Sequence, residues 1–215
     1  MNEIANFCSI VGGNAKEVSR GMGFDTRIGS RFLAAGIGYG GSCFPKDVKA
    51  LIHTGKEHSY DFTILEAVRD ANEKQKLLPI GFLKKSLKTL KGKHIAIWGL
   101  SFKPRTDDVR EAPAILIINA LLKAGASVTA FDPVATENAK EVTKAHPKLT
   151  FAKDQYGAVN GADALVVATE WDEFRTADFI DLAKRMKGNV IVDGRNIFER
   201  EEAETAGFTY FGVGV

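Results

Sequence analysis

From Lys93 the chain alternates between two kinds of segment. KHIAIWGL (93–100) is a short apolar run of buried-strand length, PAILIINALLKAG (113–125) is a helix that ends on a glycine, and SVTAFD (127–132) is a second strand. Strand, helix, strand in that order restricts the fold more than any other feature, because parallel strands need a crossover segment that also covers the sheet. The alternation continues: a helix over 136–145, the strands LTFA (149–152) and ADALVVAT (162–169), a helix over 177–186, then the strands NVIVDG (189–194) and FTYFG (208–212). The expected fold class is therefore α/β. Residues 91–215 should form a Rossmann-like, doubly wound, parallel sheet with helices on both faces.

Residues 1–90 carry a different, helical pattern. Ile4, Phe7, Cys8 and Val11 recur at the spacing of one helix face, which Gly12-Gly13 ends, so Cys8 reads as core. Gly21–Ser42 is glycine-rich and aperiodic, an ordered loop of a length usually reserved for function. A helix over 44–54 follows, then a long one over 62–90, with Ile64, Leu65, Val68 and Ala71 as its first apolar stripe. Pro79 and Gly81 should kink or divide it. The expected division is a helical region over 1–90 and a sheet domain over 91–215.

Composition excludes several function classes. Twenty-nine basic against 27 acidic residues leave a net charge of +2, which offers no broad footprint for nucleic acid or a membrane surface. No apolar run reaches the roughly 18 residues that span a bilayer, and the start MNEIANFCSIVGG lacks a basic region followed by an apolar block. The expectation is a cytoplasmic protein whose two cysteines, Cys8 and Cys43, are free thiols. His53, His58, His94 and His146 show no metal-ligand spacing, and no metal is assigned.

Within the glycine loop, GIGYGG (36–41) has the spacing of a dinucleotide fingerprint, but SRFLAA before it is no buried strand. No second strand follows about 20 residues later with a ribose-binding acid. The strand IAIWG, which does open a doubly wound pattern, continues as LSFKPRTDD without further fingerprint glycines. The stretch after the loop, GGSCFPKDVKAL, sets Cys43 at a helix start, where free N–H groups and Lys46 favour a thiolate. Asp47 lies one turn on, placed to orient or deprotonate a water. The residues alone leave two readings open, a nucleophile or a small buried hydrophobe beside a Ser42 N-cap.

GIGYGGSCFPKDVKAL resembles the catalytic cysteine segment of the UDP-glucose 6-dehydrogenases, within the wider UDP-glucose/GDP-mannose dehydrogenase family. DTRIG (25–29), GLSFKPRTDDVREAPAI (99–115) and VIVDGRNIF (190–198) match further family segments in the family's order. The resemblance implies two NAD-dependent oxidations of UDP-glucose to UDP-glucuronate through a thiohemiacetal and a thioester on Cys43, with Asp47 assisting the proton transfers. It also implies substrate contacts from Gly38, Tyr39, Gly40, Phe102, Lys103 and Arg195. Arg27 would reach the substrate of a neighbouring subunit in a homodimer built on the helical region, and Lys46 and Arg110 would stand near the cofactor. Without the resemblance, Lys103 and Arg110 read as solvated charges beside Asp107, Asp108 and Glu111. Trp171 and Phe174 read as structural. The family's N-terminal dinucleotide domain has no match here, so NAD is expected to bind mainly outside these residues, and these 215 residues alone are expected to be inactive. The alternatives are a GDP-mannose 6-dehydrogenase, or a nucleotide-sugar-binding or dimerisation module without catalysis.

Overall fold

In order, the elements are α1 (Asn2–Val11), α2 (Ala15–Gly23), α3 (Phe44–Glu57), α4 (Thr63–Lys76), α5 (Leu78–Leu87), β1 (His94–Trp98), α6 (Pro113–Lys123), β2 (Ser127–Phe131), α7 (Thr136–Thr143), β3 (Leu149–Phe151), α8 (Gln155–Val159), β4 (Ala164–Val167), α9 (Asp172–Arg175), α10 (Phe179–Arg185), β5 (Val190–Asp193), α11 (Arg200–Thr205) and β6 (Thr209–Gly212). The computed structural model describes residues 1–215. Six parallel strands form one sheet in the order β3-β2-β1-β4-β5-β6. The chain starts at β1, winds outward to β3, then crosses back to β4 on the other side of β1. The sheet's switch point therefore lies between β1 and β4, and open α/β sheets bind ligands at the carboxyl edge there.

The two faces of the sheet follow from the period of two. Ile95 and Ile97 of β1 join a core with α6 residues Ala114, Ile117, Ile118 and Leu121, whereas Ala96 and Trp98 face Phe174, Leu182 and Ala203. Burial on both faces is why these strands are continuously apolar rather than alternating. The first of the two cores does not stop at the sheet. It includes Ala5 and Cys8 of α1, Ala15 of α2, Ile37 of the glycine loop and Leu83 of α5. The helical region is thus packed into the same apolar interior. No helix is long and apolar enough to cross a membrane.

The strand–helix alternation of 91–215 appears as expected, as does the division of the long helix, and the rest of the helical part differs in two respects. In α1 the buried residues are Ala5 and Cys8, while Ile4, Phe7 and Val11 of the expected inner face are exposed. The spacing marks a helix correctly but does not tell a core from an uncovered apolar surface. Residues 15–23 form α2, capped by the Asn14 side chain accepting from Lys16 and Glu17 N–H; three glycine-flanked polar turns hid it. The long helix divides at Leu77, with Pro79 in the first turn of α5 where it needs no N–H donor. The short helices α8, α9 and α11, too brief for a 3.6-residue period to declare itself, also lie outside the expected elements.

Candidate functional site

The residues that bury α4 are polar. Asn72, Gln75 and Lys76 share its inner side, and Ile64 of the expected apolar stripe is 77% exposed. Their function is to hold the glycine loop. Asn72 accepts from Tyr39 N–H (2.9 Å) and donates through Nδ2 to the Tyr39 carbonyl (3.1 Å), and Gln75 donates to the Gly36 carbonyl (2.7 Å). From α1, the Asn2 side chain accepts from Gly36 N–H (2.9 Å). From the sheet side, Ile37 N–H donates to the Gly194 carbonyl (3.0 Å), and Gly41 N–H to the Arg110 carbonyl (2.9 Å). The loop is thus pinned along its backbone, as a buried segment without its own ladder must be.

Glycine is required at two of its positions. Gly38 has φ +88°, and a side chain there would place Cβ 2.7 Å from Asn72 Oδ1. At Gly40 a Cβ would overlap the Glu111 carbonyl. That approach matters because Glu111 belongs to the loop after β1, which is where the helical region and the sheet meet. Lys76, fully buried, pairs with Glu73 (2.7 Å) and with Glu111 (3.3 Å), and Glu111 also pairs with Lys49 of α3 (2.6 Å). Lys49, and then Lys76, hold the Glu111 carboxyl below its ordinary pKa.

A cleft of about 800 Å³ opens between this loop and the carboxyl edge of the sheet. Of the substrate residues named from the sequence, it brings together Gly38, Tyr39, Gly40, Phe102, Lys103 and Arg195. Lys103 Nζ lies over the Phe102 ring at 5.2 Å from its centre. Arg195 follows β5 directly; its Nε donates to the Ala168 carbonyl (2.9 Å) and Nη1 to the Gly38 carbonyl (3.2 Å), so it ties the glycine loop to the sheet. Burial pulls its pKa down, against the charges of Glu170 and Asp193, which support it. Arg175 of α9, Glu170, Phe32 and Phe44 also line the cleft. Sequence reasoning missed Asn72, Gln75, Lys76, Glu170 and Arg175. The first three carried no signal, since polar residues at i, i+3 and i+4 ordinarily mark the solvent side of a helix. Glu170 and Arg175 become visible only when the ends of β4 and β5 come side by side.

The other named residues lie outside the cleft. Cys43 is exposed and is itself the N-cap residue of α3, displacing Ser42 from that role; Ser42 Oγ lies 3.6 Å from its Sγ. Asp47 N–H donates to the Cys43 carbonyl, while the Asp47 carboxylate is exposed beside Lys46 Nζ at 3.4 Å. Arg110 forms a two-point pair with Asp108 (2.9 and 2.8 Å), which raises the Arg110 pKa and lowers that of Asp108; Cys43 is close enough to add to the Arg110 shift. Arg27 is turned back on Asp25 (2.6 Å) in an exposed loop and does not line the cleft. A larger cleft of about 1120 Å³ between α10 and α11 is lined by Asp178, Glu199, Glu201, Glu202 and Glu204 against one cation, Arg200, and that balance makes a poor seat for an anionic ligand.

Two family models cover most of the chain: the central domain of the UDP-glucose/GDP-mannose dehydrogenase family matches residues 1–74, and its UDP binding domain matches residues 96–200. Proteins named UDP-glucose 6-dehydrogenase from Pseudomonas aeruginosa and Bacillus subtilis are 45% and 42% identical over all of this chain, and the chain spans 48% and 46% of their lengths. The chain thus spans about half the length of the curated relatives it matches. A solved UDP-glucose dehydrogenase from Pyrobaculum islandicum superimposes over 99% of this chain and 46% of its own with a TM-score of 0.87 at 34% identity. A UDP-D-ManNAc dehydrogenase from Pyrococcus horikoshii does so over 99% and 47%, with a TM-score of 0.81 at 28%. The cleft is formed where the parts matched by the two models meet, and the chain belongs to the UDP-glucose/GDP-mannose dehydrogenase family.

Proposed function

We propose that this chain is the substrate side of a UDP-glucose 6-dehydrogenase, which oxidises UDP-glucose to UDP-glucuronate in two steps. One observation carries the reading: a single continuous segment, Gly36–Cys43, lines a cationic cleft at its first half and delivers an exposed thiol to a helix start at its end. Lys103, Arg175 and Arg195 suit a diphosphate, and Phe102 and Tyr39 offer aromatic surface to a sugar or base. The division into a helical region over 1–90 and a sugar-nucleotide domain over 91–215 belongs to this reading.

NAD enters the reading as the hydride acceptor for both oxidations. This sheet gives it no pyrophosphate turn. Asp132, which ends β2 where a ribose acid would stand, is buried and already accepts from Leu100, Ser101, Val134 and Ala135 N–H and from the Trp171 indole. The residues of this chain that a cofactor held elsewhere would meet are Lys46 and Arg110, exposed around the head of α3. The chain's own chemistry lies in the thiol. Cys43 sulfur bonds to the C6 aldehyde carbon as the carbonyl oxygen takes a proton, which keeps the aldehyde attached. Once oxidised to a thioester, that carbon is attacked by water; the C–S bond breaks, the thiolate leaves, and the carboxylate is released. Asp47, one turn along α3, would take the water's proton.

The same reading pairs two copies through the helical region. Ile4, Phe7, Ile10 and Val11 of α1 and Ile64 and Val68 of α4 are exposed, and α1 and α4 line a common groove of about 690 Å³. Arg27 would act across that pair. Calorimetry on the 215-residue chain with UDP, UDP-glucose and GDP-mannose tests the substrate assignment. UDP-glucose should bind at least about tenfold tighter than GDP-mannose, a difference of about 1.4 kcal/mol. Tighter GDP-mannose binding transfers the assignment to that sugar nucleotide, and no binding of either ends it.

A further inference from the structure

Glu170 stands out in the cleft because its charge is of the wrong sign for a diphosphate. It follows β4 and lines the cleft with Lys103, Arg175 and Arg195. Its Oε2 is buried and pairs with Arg195 Nε at 3.3 Å without hydrogen-bond alignment, and Arg195 Nη2 is buried with no hydrogen-bond partner. Buried polar atoms are almost always hydrogen-bonded, so this pair, held by charge without an aligned hydrogen bond, leaves a carboxylate that the protein does not fully satisfy. The side chain lines the cleft at 34% exposure, and its Oε1 accepts no hydrogen bond from the protein. An ionised carboxylate only accepts hydrogen bonds. Its partner must therefore be a donor, and phosphate at neutral pH is none.

We propose that Glu170 is a specificity-determining residue that accepts hydrogen bonds from hydroxyls of the hexose, with Arg195 as the adjoining donor. The acceptor and donor stand together, as vicinal hydroxyls require, since each hydroxyl gives one hydrogen and takes another. The hexose is favoured over the ribose because Arg195 is bonded to Gly38, at the start of the segment that leads to Cys43, and the reacting sugar carbon must lie toward that thiol. The inference rests on the proposed UDP-sugar site and adds a residue that reads the sugar.

Glu170→Gln and Glu170→Ala separate the possibilities by the sign of two effects, measured by calorimetry on the full chain with UDP-glucose and with UDP. UDP-glucose affinity should fall about tenfold in the alanine variant, and less in the glutamine variant, which keeps a neutral acceptor. UDP affinity should stay unchanged or rise, because a repelling charge near the diphosphate is gone. Equal weakening of both ligands would show that Glu170 only props the wall, and unchanged UDP-glucose binding would show that it touches no hydroxyl; either result overturns the assignment. If wild-type protein binds neither ligand, the UDP-sugar site itself falls and this residue's role with it. Thermal melting of both variants keeps loss of folding apart from loss of binding.

Discussion

Cys43 is exposed at the head of α3, and Cys8 is sealed in the core at 5% exposure. Brief alkylation of the native chain should therefore label Cys43 alone, with Cys8 reacting only after denaturation; peptide mass spectrometry reads the difference, and equal labelling would contradict the assignment of Cys8 to the core. Because Cys43 lies outside the cleft, Cys43→Ser should leave UDP-glucose affinity within about twofold while removing the alkylation. At Gly40 the constraint is steric. A methyl group there meets the Glu111 carbonyl, a backbone atom that cannot swing aside, so Gly40→Ala should cost about 1–3 kcal/mol in chemical denaturation. Single residues such as these were largely readable beforehand. The segments around Cys43, Phe102-Lys103 and Arg195 announce themselves through their resemblance to family segments, which is carried by neighbours in sequence. Asn72 and Glu170 do not, because their partners Tyr39 and Arg195 lie 33 and 25 positions away, and Arg175 joins the cleft only through the tertiary fold.

At the scale of elements, α3, α4 and the loop after β1 are joined through charges. Lys76 is fully buried between Glu73 and Glu111, so Lys76→Ala leaves Glu73 without its cation and Glu111 with Lys49 alone. The expected loss is about 3 kcal/mol or more by denaturant titration, and a loss within about 0.5 kcal/mol would show that the pair contributes nothing to holding the elements together. The same charges set an acid limit. Glu111 is held below its ordinary pKa by Lys49 and Lys76, and Asp108 by Arg110. A carboxyl whose folded-state pKa is depressed adds stability above its unfolded pKa, near pH 4, and that stability is lost as pH falls through the lower folded value. Denaturation midpoints should therefore drop steeply below about pH 4. Glu111→Gln should make the drop shallower, and an identical pH curve would rule out this cause. Of the helices of 91–215, α6, α7 and α10 were legible in the sequence, whereas α8, α9 and α11 are too short to show a period. The polar inner side of α4 was not legible, because the apolar residues of that helix, which dominate any reading of its period, point to the outside.

For the whole molecule, one apolar interior runs from Cys8 through Ile37 to the sheet, so the helical region and the sheet should unfold together in a single transition. The exposed apolar residues of α1 and α4 make the opposite prediction about the surface. Sedimentation should find a dimer, and Phe7→Glu with Ile64→Lys should yield a folded monomer; a wild-type monomer at micromolar concentration would remove the pairing proposal. By itself the sequence determined the alternation that makes a parallel sheet, the helical character of the first 90 residues, and the family resemblance carried by the Gly36–Asp47 segment, because period, glycine placement and motif order are local properties of a chain. The tertiary structure alone decided three things: which apolar faces remain uncovered, that the loop is held by Asn72 and Gln75, and that Glu170 joins Arg195 in the cleft. Each depends on surfaces brought together by the winding of the sheet, and no local pattern records which distant backbone or charge a side chain will meet.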